Sequence, residues 1–208
     1  MLQIKCFTFG PFETNCYVVS DEHNVLLIDP ACSNAYEQQL LVNYIQPLTA
    51  NRSPLTIIAT HGHLDHLWGA KWATDTWHTP VLMHEADIPM AKAMQAQYNL
   101  FGIRATAESF DIEPLADSLS PFALIPTPGH TPGSVCLYFP HSLNPNSITP
   151  SILFSGDTLF QMGYGRTDLP GGNMGQLIDS LERLFELPSD VVVYPGHGDS
   201  TTIGAEKR

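Results

Sequence analysis

Short apolar runs separated by polar turns predict three β-strands near the start of the chain, at 3–9, 16–20 and 25–28. The turns between them contain Gly10-Pro11 and the polar residues 21–24. Because turns this short join neighbouring strands directly, we expect the first sheet to begin as an antiparallel meander.

Beyond residue 30 the pattern alternates between helical and strand periods. Ser33 is the expected N-cap of the first helix, and Pro47 is expected to end that helix. Pro89 should delay the third helix until about Ile88. Apolar spacing predicts helices over 35–45, 67–76, 85–97 and 174–185. Apolar runs predict strands over 55–59, 80–83, 122–126, 134–139, 152–155 and 191–194.

Two stretches lack a regular pattern, and one helix has a clear apolar side. Residues 98–118 show no period, and the Asn-, Ser- and Pro-rich stretch 141–150 predicts an exposed loop. The residues of the last helix that we expect to point inward are Leu177, Ile178, Leu181, Leu184 and Phe185. The chain begins with strands, continues with alternating strands and helices, and ends with more strands. This order predicts an α+β fold of two mixed sheets with outer helices, a four-layer αβ/βα sandwich. We expect one domain over 1–208.

Composition narrows the classes of function. Hydrophobic residues make up 43% of the 208 residues and charged residues 14%, which excludes a disordered chain. The formal net charge of −12 should repel phosphate backbones, so we expect no nucleic-acid partner. We expect no membrane partner either, because the chain has no apolar run near the roughly 18 residues that span a bilayer. Without a recognisable signal sequence, the expected location is the cytoplasm, with four scattered reduced cysteines in the core.

Four potential metal ligands lie within one heptapeptide, Thr60-His61-Gly62-His63-Leu64-Asp65-His66, directly after a predicted buried strand. Imidazole nitrogen and carboxylate oxygen both suit zinc and related divalent ions. His61 and His63 point the same way if the backbone is extended. Asp65 and His66 follow where the chain turns toward the next helix, so they can face a second point nearby.

Three further candidate ligands, His130, Asp157 and His197, each follow a glycine just after an apolar strand. A glycine at these places lets the backbone turn a side chain toward the edge of a sheet. Taken singly, each could be an ordinary turn residue. Together with the histidine-rich heptapeptide they make seven potential ligands.

This set of motifs resembles the metallo-β-lactamase-fold superfamily, whose HxHxDH signature corresponds to residues 61–66, and the resemblance extends over nearly the whole chain. It implies that Asp157 bridges two metal ions together with a hydroxide, and that Asp65 also orients the attacking water. It further implies one ion held by His61, His63 and His130, and a second held by Asp65, His66 and His197. The expected cofactors are two divalent ions, zinc first, with iron or manganese as alternatives.

Within that superfamily, residues 154–160, 165–172 and 195–202 are similar to glyoxalase II enzymes, which are hydroxyacylglutathione hydrolases. The resemblance implies a thioesterase that uses the bridging hydroxide and acts on a small thioester or ester, as a monomer or small homo-oligomer. Full glyoxalase II enzymes carry an added helical domain that helps to hold glutathione. Here only 11 residues follow His197, which suggests a short, single-domain relative.

Two residues in this region are candidates for binding substrate. Arg166 suits a substrate carboxylate, but an ion pair with Asp168 explains it equally well. Tyr164 either lends its hydroxyl to an oxyanion, or lines the pocket, or is an ordinary loop aromatic. Other activities compatible with the fold are a lactonase or other ester hydrolase, a β-lactamase, a persulfide dioxygenase with a single iron, a nuclease, and a non-catalytic metal-binding protein.

Overall fold

The structure is a computed structural model that describes residues 2–50, 55–116, 118–119, 121–140 and 150–207. The loop predicted over 141–150 therefore lies outside the described residues, apart from its last position. The chain forms two compact units, Met1–Leu115 and Ala116–Arg208, and the described residues of each contain one six-stranded sheet. This division into two units does not test the expectation of a single domain, which stays a prediction.

The first unit contains a mixed sheet in which the strands follow one another in chain order. Its first three strands pair antiparallel, which confirms the predicted meander, and the next three add in parallel. All seven residues of the second strand are buried, so this strand lies at the centre of the core. The strands are β1 (Gln3–Phe9), β2 (Thr14–Ser20), β3 (Val25–Ile28), β4 (Thr56–Ile58), β5 (Val81–Met83) and β6 (Ile112–Pro114).

The helices of the first unit are α1 (Ala35–Thr49), α2 (Ala70–Trp77), α3 (Ile88–Lys92) and α4 (Met94–Leu100), with a 3₁₀ turn at Glu85–Asp87. The single helix predicted over 85–97 is therefore three pieces, with a break at Ala93, where ψ is 27°.

The predicted ends of the first helix were wrong. The N-cap is Asn34, whose side chain accepts hydrogen bonds from the N–H groups of Tyr36 and Glu37. Ser33 instead donates its N–H and hydroxyl to Glu37 at 2.6 and 3.1 Å. Pro47 lies inside the last turn of α1, where a kink would affect only the two residues that follow it in the helix.

The elements of the second unit are β7 (Ser118–Leu119), β8 (Phe122–Pro126), β9 (Val135–Phe139), β10 (Ile152–Gly156), a hairpin of β11 (Leu159–Phe160) and β12 (Gly163–Tyr164), α5 (Met174–Phe185), β13 (Val192–Pro195), β14 (Thr201–Thr202) and α6 (Ile203–Glu206). Its sheet has the strand order β14-β13-β10-β9-β8-β7. Only the β10–β13 pair is parallel among the pairings described. The two mixed sheets with helices confirm the predicted α+β class.

Helix α5 begins and ends where the sequence predicts, but one residue of its predicted inner face is misplaced. Leu177 and Leu184 are fully buried, and Leu181 and Phe185 pack against the core cluster that contains Leu184. Ile178 is 48% exposed. It lies about 100° round the helix from Leu177, which is far enough to reach solvent.

The cysteines are free thiols, and three of the four belong to the cores as predicted. Cys6 is exposed, so the prediction was wrong there. Burial raises the pKa of Cys136 to about 11 and that of Cys32 to about 12, which keeps these thiols protonated and unreactive. Among the described residues, every helix is too short or too polar to cross a bilayer.

Candidate metal centre

The histidine-rich heptapeptide of the first unit begins two residues after β4, and its imidazoles are buried. His61, His63 and His66 are 1%, 7% and 0% exposed. The ring centroid of His61 lies 4.1 Å from that of His66 and 4.8 Å from that of His63. Each of these pairs has ligand atoms within 4.8 Å of each other. Buried imidazoles this close together form a donor set for a divalent ion.

Asp29, one residue beyond β3, orients part of this heptapeptide. Its Oδ1 accepts the N–H of Thr60 at 2.7 Å, and its Oδ2 accepts the Thr60 hydroxyl at 2.8 Å. The same Oδ2 lies 2.9 Å from Nδ1 of His66. Asp29 is 1% exposed and has a φ of 54°, in the left-handed region that few non-glycine residues adopt. Its three hydrogen bonds help to hold that conformation.

A second pair of side chains binds the backbone of the same heptapeptide. The N–H of Gly62 donates to Oδ2 of Asp87 at 2.8 Å. Gln97 donates to the carbonyl of Gly62 at 2.9 Å and accepts the N–H of Leu64 at 2.9 Å. The peptide groups on either side of His63 are thus fixed by side chains from the segment 85–100, and the imidazole is positioned with them.

Asp65 is the most exposed ligand candidate of the heptapeptide and has its own support. The Thr14 hydroxyl donates to its Oδ2 at 3.1 Å. The same oxygen lies 3.6 Å from Nε2 of His66. Asp65 is thereby fixed next to His66.

The second unit brings three more candidate ligands together. Oδ2 of Asp157 lies 3.5 Å from Nε2 of His130 and 3.5 Å from Nε2 of His197. Nδ1 of His130 lies 2.7 Å from the carbonyl oxygen of Arg166. Because a carbonyl only accepts, this Nδ1 carries the proton of the neutral ring. Nε2 of His130 then directs a lone pair toward the carboxylate.

These spacings fit a divalent ion. Ligands about 2.1 Å from a tetrahedral ion lie about 3.4 Å from one another. The Nε2–Oδ2 distances of 3.5 and 3.6 Å in the two units are close to that value and longer than ordinary hydrogen bonds. The residues present in each unit are therefore suited to metal binding.

Gly165 lies against two residues of the second cluster. A Cβ at this position would overlap the carbonyl oxygen of Asp157 and lie 3.0 Å from Nδ1 of His130. Any larger residue would have to displace the backbone of Asp157. Close packing at this glycine therefore helps to position both ligands.

The two candidates for substrate binding lie on the surface of the second unit. The guanidinium of Arg166 makes a bidentate pair with Asp168 at 2.6 and 2.7 Å, and this hydrogen-bonded pair lowers the pKa of Asp168 to about 2. Tyr164 is 55% exposed on β12. Phe160, on the paired strand, packs edge-on against the His197 ring with centroids 6.2 Å apart.

Sequence reasoning missed the residues that support the ligands. An acidic residue directly after the apolar strand 25–28 was a usable signal for Asp29, because Asp157 has the same kind of position. Asp87, Gln97 and Gly165 contact ligand segments that are distant in the chain. The sequence around each of these residues has no pattern that would indicate such a role.

Comparison with known proteins identifies the family. The model of the metallo-beta-lactamase superfamily matches residues 9–197. The probable metallo-hydrolase YqgX of Bacillus subtilis is 34% identical over 95% of this chain and 91% of its own. Hydroxyacylglutathione hydrolase GloC of Haemophilus influenzae is 32% identical over 100% of this chain and 96% of its own. A crystal structure of TTHA1623 in a di-iron-bound form superimposes with a TM-score of 0.82, 33% identity and coverage of 98% and 97%.

The fold is thus that of a family of metal-dependent enzymes. This chain belongs to the metallo-β-lactamase superfamily. The predicted metallo-β-lactamase fold is confirmed, and a metal-dependent enzyme follows from membership of the family.

Proposed function

We propose that this protein is a glyoxalase II-like thioesterase that hydrolyses a small thioester of the hydroxyacylglutathione type. The observation that carries the proposal is the relationship to GloC, which extends over essentially the full length of both chains. The ligand clusters of the two units support the hydrolytic chemistry.

The proposed ligand set joins the two clusters around two divalent ions. Asp157 is the proposed bridging ligand, in keeping with its equal 3.5 Å distances to His130 and His197. The first ion is assigned to His61, His63 and His130, and the second to Asp65, His66 and His197. Zinc is the first candidate for these nitrogen and oxygen donors, and iron is the second because TTHA1623 binds a di-iron centre.

A bound pair of divalent ions supplies acidification of a water molecule and polarisation of the substrate carbonyl. The residues of this chain hold and orient the reactants. Asp65, fixed by the Thr14 hydroxyl at 3.1 Å, is assigned to orient the attacking water. No side chain has to act as a nucleophile in this scheme.

A thioester suits this site because the departing thiol has an ordinary pKa of about 8.5, so it can leave as thiolate without a dedicated general acid. An alkoxide leaving group has a far higher pKa and would benefit from protonation. On the leaving group alone, we expect thioesters to be hydrolysed faster than oxygen esters of the same acyl group. Arg166 and Tyr164 are proposed to contact the substrate at the rim of the site.

The test combines metal analysis of the purified full chain with a panel of S-lactoylglutathione, other thioesters, lactones and a β-lactam. We expect thioester hydrolysis that disappears on chelation and returns when zinc is added. Preference for a lactone or the β-lactam would overturn the thioesterase assignment. A single iron per chain with oxygen uptake on a persulfide would replace the hydrolase by a dioxygenase.

A further inference from the structure

We infer that Asp29 is a positioning residue that sets the tautomer of one ligand for each proposed metal ion, directly for His66 and through the Thr60 hydroxyl for His61. This inference rests on the proposed two-ion function for the assignment of His61 and His66 to different ions. The hydrogen-bond geometry that carries it lies wholly within the first unit.

The direction of each hydrogen bond follows from the groups involved. As a carboxylate, Asp29 only accepts, so the Thr60 hydroxyl at 2.8 Å donates its one proton to Oδ2. The hydroxyl oxygen lies 3.1 Å from Nδ1 of His61 and has only lone pairs left to offer. Nδ1 of His61 must therefore carry the ring proton, and Nε2 keeps the lone pair needed to bind a metal ion.

Asp29 sets the tautomer of His66 by a direct hydrogen bond. Its Nδ1 lies 2.9 Å from Oδ2 of Asp29, so the ring donates there and its Nε2 is the metal-binding nitrogen. One buried carboxylate oxygen thus determines the tautomers of two ligands. Orienting groups of this kind typically change metal affinity by about 10–100-fold when they are removed.

In this hydrogen-bond network, a substitution of Thr60 should affect one histidine, whereas a substitution of Asp29 should affect both. Replacing Thr60 by valine removes the hydroxyl that orients His61 but leaves the Asp29–His66 bond. Replacing Asp29 by asparagine, which can keep its carbonyl on the Thr60 N–H, turns an amide NH₂ toward His66. The Nδ1 of His66 would then accept, and its proton would move to Nε2, where it blocks metal binding. The Thr60 hydroxyl would also be free to donate to His61.

The test is a zinc titration of the full chain, paired with ¹⁵N NMR of the histidine rings in the metal-stripped protein. We expect Thr60→Val to weaken one of two zinc-binding steps by about 10–100-fold and leave the other unchanged. Thr60→Ser, which keeps the hydroxyl, should restore the weakened step. Asp29→Asn should weaken both steps and shift both rings to the Nε2–H tautomer.

Three results would overturn the inference. These are unchanged zinc binding in Thr60→Val, equal weakening of both steps in that variant, and wild-type His61 and His66 as Nε2–H tautomers. If the wild type binds only one zinc ion, the two-ion function fails while the NMR spectra still decide the role of Asp29. If Asp29→Asn does not fold, the Thr60 variants decide the route to His61 and the wild-type NMR tautomer of His66 decides the direct contact.

Discussion

The two units position their candidate ligands by different means. In the first unit four candidate ligands are neighbours in the sequence, and side chains from elsewhere in the unit fix them: the buried Asp29, Asp87 and Thr14 and the partly buried Gln97. In the second unit three ligands come from separate strand ends. There the Arg166 carbonyl positions His130, and the close approach of Gly165 packs against His130 and Asp157.

This difference predicts how each half should respond to mutation. A side-chain hydrogen bond can be removed with a graded loss, because the surrounding packing remains. A glycine in contact with backbone has no smaller substitute. Its replacement should therefore displace the backbone and disturb the ligands more than the loss of one side-chain hydrogen bond does. The ligand shared by the proposed ions should matter most of all.

The largest effect is expected for Asp157→Ala. Loss of the proposed bridging carboxylate should reduce thioester hydrolysis by more than about 100-fold and lower the metal content, because both ions lose a ligand. Steady-state kinetics and elemental analysis measure these changes. Asp179→Ala, at an exposed position of α5, is the matched control and should resemble the wild type. Unchanged turnover in Asp157→Ala would contradict the assignment.

Gly165→Ala should have the second largest effect. The added methyl group would overlap the Asp157 carbonyl, and overpacking of this kind costs about 1–3 kcal/mol of the free energy of unfolding. Denaturant unfolding measures the loss, and zinc titration should show weaker binding. Gly163→Ala is the control two residues away, where a Cβ meets nothing within 4 Å. Equal stability of the two variants would show that packing at Gly165 does not support the ligands.

Gln97→Leu tests the side-chain support of the first unit. It removes the partners of the Gly62 carbonyl and the Leu64 N–H, and each buried backbone group left without a partner costs about 1–3 kcal/mol. Thermal unfolding and zinc affinity should both decrease. Gln95→Leu, at an exposed position of the same helix, loses only bonds that water can replace. If both variants behave alike, Gln97 does not position His63.

The smallest effect is expected for Arg166→Ala. The pKa of Asp168 should rise from about 2 toward its ordinary value of 3.8, because the hydrogen-bonded guanidinium is lost. A carboxyl with a lowered folded pKa stabilises the fold above its unfolded pKa, and this contribution is lost as the pH falls from about 4 to about 2. NMR titration of Asp168 measures the shift. Exposure of both side chains should keep the change in unfolding small at neutral pH.

Arg166→Ala also separates the two interpretations of this residue. A raised KM for S-lactoylglutathione with an unchanged kcat would favour contact with the substrate. Unchanged kinetic constants would leave the ion pair with Asp168 as its whole role.

The sequence predicted those features of the fold and the site that neighbouring residues encode, and it missed those that depend on contacts between distant segments. The heptapeptide 60–66 was recognisable because its four candidate ligands lie within six residues, and α5 was placed correctly because its apolar period is uninterrupted. Asn34 displaced Ser33 as the N-cap because two adjacent polar residues compete for one cap. The contact of Gln97 with Gly62 depends on how α4 lies against a distant segment, and no local pattern contains that information.

In the proposed metal centre, seven side chains hold two ions that share Asp157. Anomalous X-ray diffraction from crystals of the full chain grown with zinc would locate these ions. We expect two anomalous peaks, both within bonding distance of Asp157, one beside His130 and the other beside His197. A single peak bound by residues of one unit alone, or two peaks that do not share Asp157, would contradict this proposal.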